Sequence, residues 1–79
     1  MKYQFEKTDT FGGEANYSWV DRVVVDVPDG TSGTLLRMLA KQWAGWVGHK
    51  CEVHDWGGAE CKVTPRGLCQ VLFVTEHRE

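Results

Sequence analysis

Alternation of apolar and polar positions in the first 30 residues predicts two strands. Residues 2–7 place their two aromatic side chains on one side, as a short half-buried strand does. Residues 8–16 are polar and contain two adjacent glycines, so we expect a loop there. Residues 17–27 are rich in β-branched and aromatic side chains and predict a second strand with its apolar odd positions on one face. Asp21 interrupts that face, and we expect it at a solvated margin of the sheet or beside a bulge.

A helical period follows the second strand. The apolar residues that recur at helical spacing are Leu35, Leu36, Leu39 and Trp43. Thr31 and Ser32 are residue types that cap helix N-termini, and Gly45 is of the type that ends helices. The sequence therefore predicts a helix over about residues 32–45.

The remaining residues predict a three-stranded meander. The strands are expected at residues 49–55, 59–64 and 68–75, with glycine-containing turns between them. The last strand is apolar on both faces, which is typical of a strand at the centre of a sheet.

The pairing within this meander follows from keeping its apolar face continuous. We predict Val53 opposite Val63, and Val63 opposite Cys69, because a slip by one residue would oppose apolar and charged side chains. Cys51 and Cys61 then share with Cys69 the face toward the helix, without a geometry that allows a disulfide. We therefore expect three reduced, mostly buried thiols that hold no metal.

Together these elements predict an α+β fold with the order β-β-α-β-β-β. We expect a two-layer sandwich, with one helix packed on a mainly antiparallel sheet, as a single domain over residues 1–79. A chain of 79 residues can build only one thin core.

Charge and composition exclude several classes of partner. Nine Lys and Arg residues against eleven Asp and Glu residues give a net charge of −2, which disfavours direct binding of nucleic acid. No apolar run reaches the roughly 18 residues that span a bilayer, so we expect no membrane partner. The N-terminal residues do not form a secretory signal, and an odd number of cysteines favours a reducing cytoplasm. The pattern leaves the oligomeric state open.

The residues that could support catalysis do not converge. A strand sends Cys51 and His54 to opposite faces, so the imidazole is poorly placed to take the thiol proton. The chain contains no P-loop and no Gly-x-Gly-x-x-Gly motif. We therefore predict no enzyme activity, no catalytic residues and no cofactor, and keep a small thiol-dependent enzyme as the least favoured alternative.

An acidic first hairpin is the first candidate for partner contact. Residues 1–30 carry six acidic and three basic side chains. We predict that Glu6, Asp9, Glu14 and Asp26 lie on loops or outward faces and contact a protein partner. The matching partner would have a basic surface of the kind that binds nucleic acid.

The four tryptophans are the second candidate. We expect Trp19 and Trp43 in the core, and Trp46 and Trp56 part-exposed at the helix exit and at a hairpin tip. Tryptophan is enriched among the residues that dominate protein–protein binding energy, so the latter two are predicted contact residues.

Two segments, Asp9–Val20 and Gly67–Val74, carry a resemblance to small proteins of bacteriophages and other mobile elements. Among these the chain resembles anti-CRISPR proteins that inhibit type I systems. The resemblance implies a short non-enzymatic chain in the cytoplasm of a bacterial host that binds the type I CRISPR surveillance complex and blocks target DNA binding. It assigns no individual residue a role. The alternative is a regulatory or interaction module of a mobile element.

Overall fold

The computed structural model describes residues 1–78 and has the predicted element order. The elements are β1 (Lys2–Phe11), β2 (Glu14–Asp26), α1 (Gly33–Ala44), β3 (Cys51–Gly57), β4 (Glu60–Pro65) and β5 (Gln70–Glu76). The five strands form one antiparallel sheet in the order β2-β1-β5-β4-β3, which confirms the α+β class and the central place of β5.

The first hairpin is longer than predicted. The expected loop over residues 8–16 is wrong, because β1 continues to Phe11 and β2 begins at Glu14. Gly12 and Gly13 form the whole turn, and their positive φ angles of 62° and 84° suit a two-residue hairpin turn. The surplus residues of this segment form a bulge in β2, where residues 16–19 lie opposite Asp9 alone.

Helix α1 begins and ends at the predicted signals. The Ser32 hydroxyl accepts a hydrogen bond from the Leu35 N–H at 3.1 Å, and Gly45 ends the helix in the left-handed conformation at φ 80°. The face toward the sheet is made mostly of small residues, and its buried members are Leu36, Ala40 and Ala44. No helix within residues 1–78 has the length and apolar character needed to cross a membrane.

The core lies between α1 and one face of the sheet, formed by β1, β4 and β5. Its fully buried large side chains include Phe5, Leu36, Val63, Leu72 and Val74. The other face of the sheet, which we call the helix-free face, carries the alternate residues of each strand.

The meander confirms one predicted register and corrects the other. Val53 lies opposite Val63 as predicted, but Val63 lies opposite Leu72 and not Cys69. The predicted pairing would have left a single residue between Pro65 and its partner, whereas a hairpin needs at least two. The actual loop is residues 66–69, so Leu72 faces the helix and Cys69 is exposed in the loop.

Two of the four tryptophans lie where the sequence did not predict them. Trp46 is only 5% exposed, because the chain reverses at Gly45 and the Trp46 N–H bonds the Lys41 carbonyl at 2.9 Å. Trp19, expected in the core, is 39% exposed because it belongs to the bulge at the sheet margin. Trp43 packs against the core as expected, with its ring centroid 6.2 Å from that of Phe5.

Adjacent leucines on α1 test this packing. Leu36→Ala should destabilise the fold by about 2–5 kcal/mol, because Leu36 is fully buried between helix and sheet. Leu35→Ala should change stability by less than about 1 kcal/mol, because Leu35 is 45% exposed. Urea unfolding of both variants measures the difference, and equal losses would contradict the assigned helix face.

Candidate functional site

A cleft of about 270 Å³ lies on the helix-free face. It separates the tip of the first hairpin from the indole of Trp56, and two residues of the central strand, Val71 and Phe73, lie between them. The remaining lining residues, from the hairpin tip and from β4, are Thr10, Gly13, Glu14, Ala15, Lys62 and Thr64. The hairpin tip that lines this cleft directly adjoins the bulge in β2.

An aromatic pair forms one wall of the cleft. Trp56 stacks on Phe73 with ring centroids 5.9 Å apart and planes inclined by 19°. Trp56 remains 49% exposed, as the sequence predicted. The stack holds the indole against the sheet while leaving much of its surface open to a second molecule.

One carboxylate and one ammonium group line the same cleft. Glu14 stands at the hairpin tip and Lys62 on β4, opposite Phe73. Within residues 1–78 neither side chain has a hydrogen-bond or ion-pair partner. Both charges are therefore available to a bound molecule.

Glu6, by contrast, is engaged within the hairpin. The Tyr17 hydroxyl donates to Glu6 Oε1 at 2.9 Å, and Arg22 Nε donates to Glu6 Oε2 at 2.6 Å. The hydrogen bond to this carboxylate raises the pKa of the Tyr17 phenol. Glu6 lies on the helix-free face, opposite Phe73, but its side chain is only 12% exposed and its carboxylate is already bonded within the hairpin.

Asp9 holds the bulge together and is likewise not a free carboxylate. It accepts hydrogen bonds from the Ser18 hydroxyl at 2.6 Å, the Ser18 N–H at 2.9 Å and Asn16 Nδ2 at 2.9 Å. These donors, the Ser18 hydroxyl foremost, hold the pKa of Asp9 well below its usual range. The two donor residues, Asn16 and Ser18, flank Tyr17 and hold its backbone in the left-handed region at φ 56°, which is uncommon for a residue other than glycine.

Asp26 and Trp46 are remote from the cleft. Asp26 lies across from Lys2, at the opposite end of the first hairpin from Glu14, and its carboxylate pairs with the Met1 ammonium at 3.3 Å. A strand of this length separates Asp26 from Glu14 by about 30 Å. Trp46 is buried beneath the end of α1. Of the six predicted contact residues, only Glu14 and Trp56 line the cleft, and Glu6 lies beside it, opposite Phe73.

Sequence reasoning missed Lys62 and Phe73. Phe73 lies on a strand that is apolar on both faces, so its direction could not be read from the pattern. Lys62 lies opposite His54 on the helix-free face, and nothing in the sequence indicates an aromatic stack next to it.

The cysteine and histidine side chains do not form a nucleophile pair. Cys51 Sγ donates to the His49 carbonyl at 3.4 Å, and His49 Nε2 lies 2.7 Å from the Arg66 carbonyl. His54 lies opposite Lys62, on the other face of the sheet from Cys51. Residues 1–78 contain no group of three metal-ligating side chains.

Comparison with protein-family models, with curated proteins and with solved structures found no match for this chain.

The Asp9 contacts predict a pH dependence of stability. Because the pKa of Asp9 is lower in the folded chain, its carboxylate stabilises the fold above pH about 4, and this is lost as the pH falls. Asp9→Asn should lower the melting temperature at pH 7. On acidification from pH 6 to 3, the melting temperature of this variant should fall by less than that of the wild type. Asp21→Asn, an exposed acid on the same hairpin, should keep the wild-type profile. Parallel profiles for the wild type and Asp9→Asn would contradict the assigned role.

Thiol labelling tests the corrected register. Cys69 is exposed and should react at once in the native protein, whereas Cys61 is buried and its pKa is raised by that burial. We expect one fast thiol, an intermediate Cys51 and a Cys61 that reacts only after unfolding in urea. Cys69→Ser should remove the fast phase; a fast phase that survives this change would contradict the loop position of Cys69.

Proposed function

We propose that this chain is a non-enzymatic protein-binding module and that a protein partner docks on the helix-free face, at the cleft between Trp56 and the first hairpin. The observation that supports this most is the meeting of Glu14 and Trp56 in one cleft. The sequence predicts both as contact residues, although they lie far apart along the chain.

Trp56 has the properties of a binding anchor. A half-exposed indole that is already stacked on one neighbour loses little conformational freedom when a partner covers it. Residues of this kind dominate the energy of many interfaces when they become fully desolvated.

The negative charge of Glu14 favours a partner that places a basic side chain in the cleft. A basic side chain that stacks on Trp56 would share the cleft with Glu14, an acidic group that no residue within 1–78 neutralises. Lys62 favours a partner with an acidic or hydrogen-bond-accepting group beside that basic side chain. Such a partner is a folded protein surface of mixed charge with a basic centre.

We propose further that the partner is a type I CRISPR surveillance complex and that docking blocks its binding of target DNA in the bacterial cytoplasm. The resemblance to phage-encoded inhibitors supports this choice. A complex that binds nucleic acid presents the basic surface that Glu14 requires.

Binding kinetics against purified type I surveillance complex test both levels of the proposal. Trp56→Ala should speed dissociation and weaken binding by at least about tenfold, as for a desolvated anchor. Glu14→Lys should slow association and reduce its dependence on salt concentration. Measurements at two salt concentrations separate these effects.

Two matched variants control for size and charge. Met38→Ala removes a similarly exposed apolar side chain from α1, and Asp21→Lys makes the same charge change at an exposed acid of β2 that does not line the cleft. Both should bind as the wild type does. If the wild type does not bind the complex, this partner is wrong; if it binds and both cleft variants match the controls, the cleft is wrong.

A further inference from the structure

Strand β2 is an edge of the sheet, and its free side can be assigned residue by residue. Met1 and Val27 exchange both main-chain hydrogen bonds, with Val27 N–H to the Met1 carbonyl at 2.9 Å and Met1 N to the Val27 carbonyl at 3.0 Å. Hydrogen-bonded pairs alternate along an antiparallel ladder, so Val25, Val23 and Asp21 also bond toward β1. The backbone groups that point away from the sheet therefore belong to Arg22, Val24 and Asp26, with Val20 beyond them.

This free side is complementary to itself. If a second copy pairs antiparallel with Val24 opposite its own counterpart, Arg22 lies opposite the second copy's Asp26 and Asp26 opposite the second copy's Arg22. The outward groups then form three hydrogen-bonded pairs that exchange about six bonds. Arg22 uses Nε for Glu6, so its two Nη groups remain for the second copy's carboxylate. Asp26 Oδ1 lies 3.3 Å from the Met1 ammonium, so Oδ2 is the oxygen that would accept from the second copy's Arg22.

Other registers lack this complementarity. Only shifts by an even number of residues place outward groups opposite outward groups. A shift that centres the pairing on Arg22 or on Asp26 opposes like charges. A register centred on Val23 leaves both charged residues opposite valines, and one centred on Val25 leaves Asp26 opposite a valine and Arg22 opposite Pro28. The register centred on Val24 is the one that forms two ion pairs.

Two further features favour the same register: the apolar residues on the helix side, and the proline at which the paired segment ends. On the helix side, Val23 would lie opposite the second copy's Val25, which adds an apolar pair at each side of the axis. Val20 would lie opposite the second copy's Pro28, which has no N–H to donate, so the ladder ends there. The paired segment is residues 21–27.

We propose that two copies of this chain dimerise through β2 with Val24 on the two-fold axis, forming one continuous ten-stranded sheet. The proposal does not depend on the function proposed above, because Val24 does not line the cleft. The short pairing buries less surface than a standard interface, so we expect a dissociation constant in the micromolar range, roughly 1–100 μM.

Charge pairing on the axis tests the dimer. Val24→Lys and Val24→Glu each place like charges opposite one another and should raise the dissociation constant of the dimer at least about tenfold, measured by sedimentation over a concentration range of about 10–500 μM. Mixed in equal amounts, the two variants should form a heterodimer, because Lys then lies opposite Glu. Val24 is 45% exposed, so both variants should keep the wild-type melting curve within a few degrees.

Val53 provides the matched control. It is also a valine with 45% exposure, on the other edge strand, β3. Val53→Lys and Val53→Glu should dimerise as the wild type does. The proposal would be overturned if the Val53 variants dissociated or if the wild type were monomeric at 500 μM. It would also be overturned if the Val24 variants dimerised as tightly as the wild type, or did not pair when mixed.

Amide hydrogen exchange tests it without any substitution. The outward N–H groups of Arg22, Val24 and Asp26 should exchange more slowly as the protein concentration rises from 10 to 500 μM. The outward N–H groups of β3 should not change. Exchange of the β2 amides that is independent of concentration would overturn the proposal even if a variant failed to fold.

Discussion

One short helix has to cover a five-stranded sheet, and this constraint organises the rest of the molecule. The 12 residues of α1 extend about 18 Å, so they cover the centre of one face and leave both edges and the other face without a second layer. Ala40 and Ala44 let the helix approach closely, and Leu36 fills the space above β5. The core is consequently concentrated around the helix.

Side-chain hydrogen bonds from β1 to the bulge in β2, and not a second helix, stabilise the helix-free face. Thr8 is fully buried there, and its hydroxyl donates to the Trp19 carbonyl at 2.8 Å and accepts from the Tyr17 N–H at 3.1 Å. Asp9 fixes the same bulge from its other side. The hairpin tip that lines the cleft beside Trp56 adjoins this bulge, so the hydrogen bonds that hold the bulge also anchor one wall of the cleft.

The two proposed interfaces use different parts of this uncovered surface. The cleft lies on the helix-free face, whereas the dimer uses the backbone of the β2 edge. In the proposed dimer the sheet continues from one copy to the next, so both clefts open on the same side. Two linked sites of this kind increase the apparent affinity for a partner that presents repeated subunits.

The sequence by itself determined the elements whose signals are local. Caps and a 3.6-residue period define α1, and alternation together with a short turn defines the pairing of Val53 with Val63. The lack of alternation in β5, whose two faces are both apolar, indicated its central place. The same property prevented the sequence from showing which face of β5 meets the helix.

Tertiary structure alone decided the features that depend on contacts between distant segments. The loop length after Pro65 set the β5 register and exposed Cys69, and chain reversal at Gly45 buried Trp46. Glu6 and Asp9 look like solvated acids in sequence, yet donors 7 to 16 residues away hold them in place. Periodicity reports which face of a strand a residue occupies, but the neighbours across that face come from other strands, and only folding brings them together.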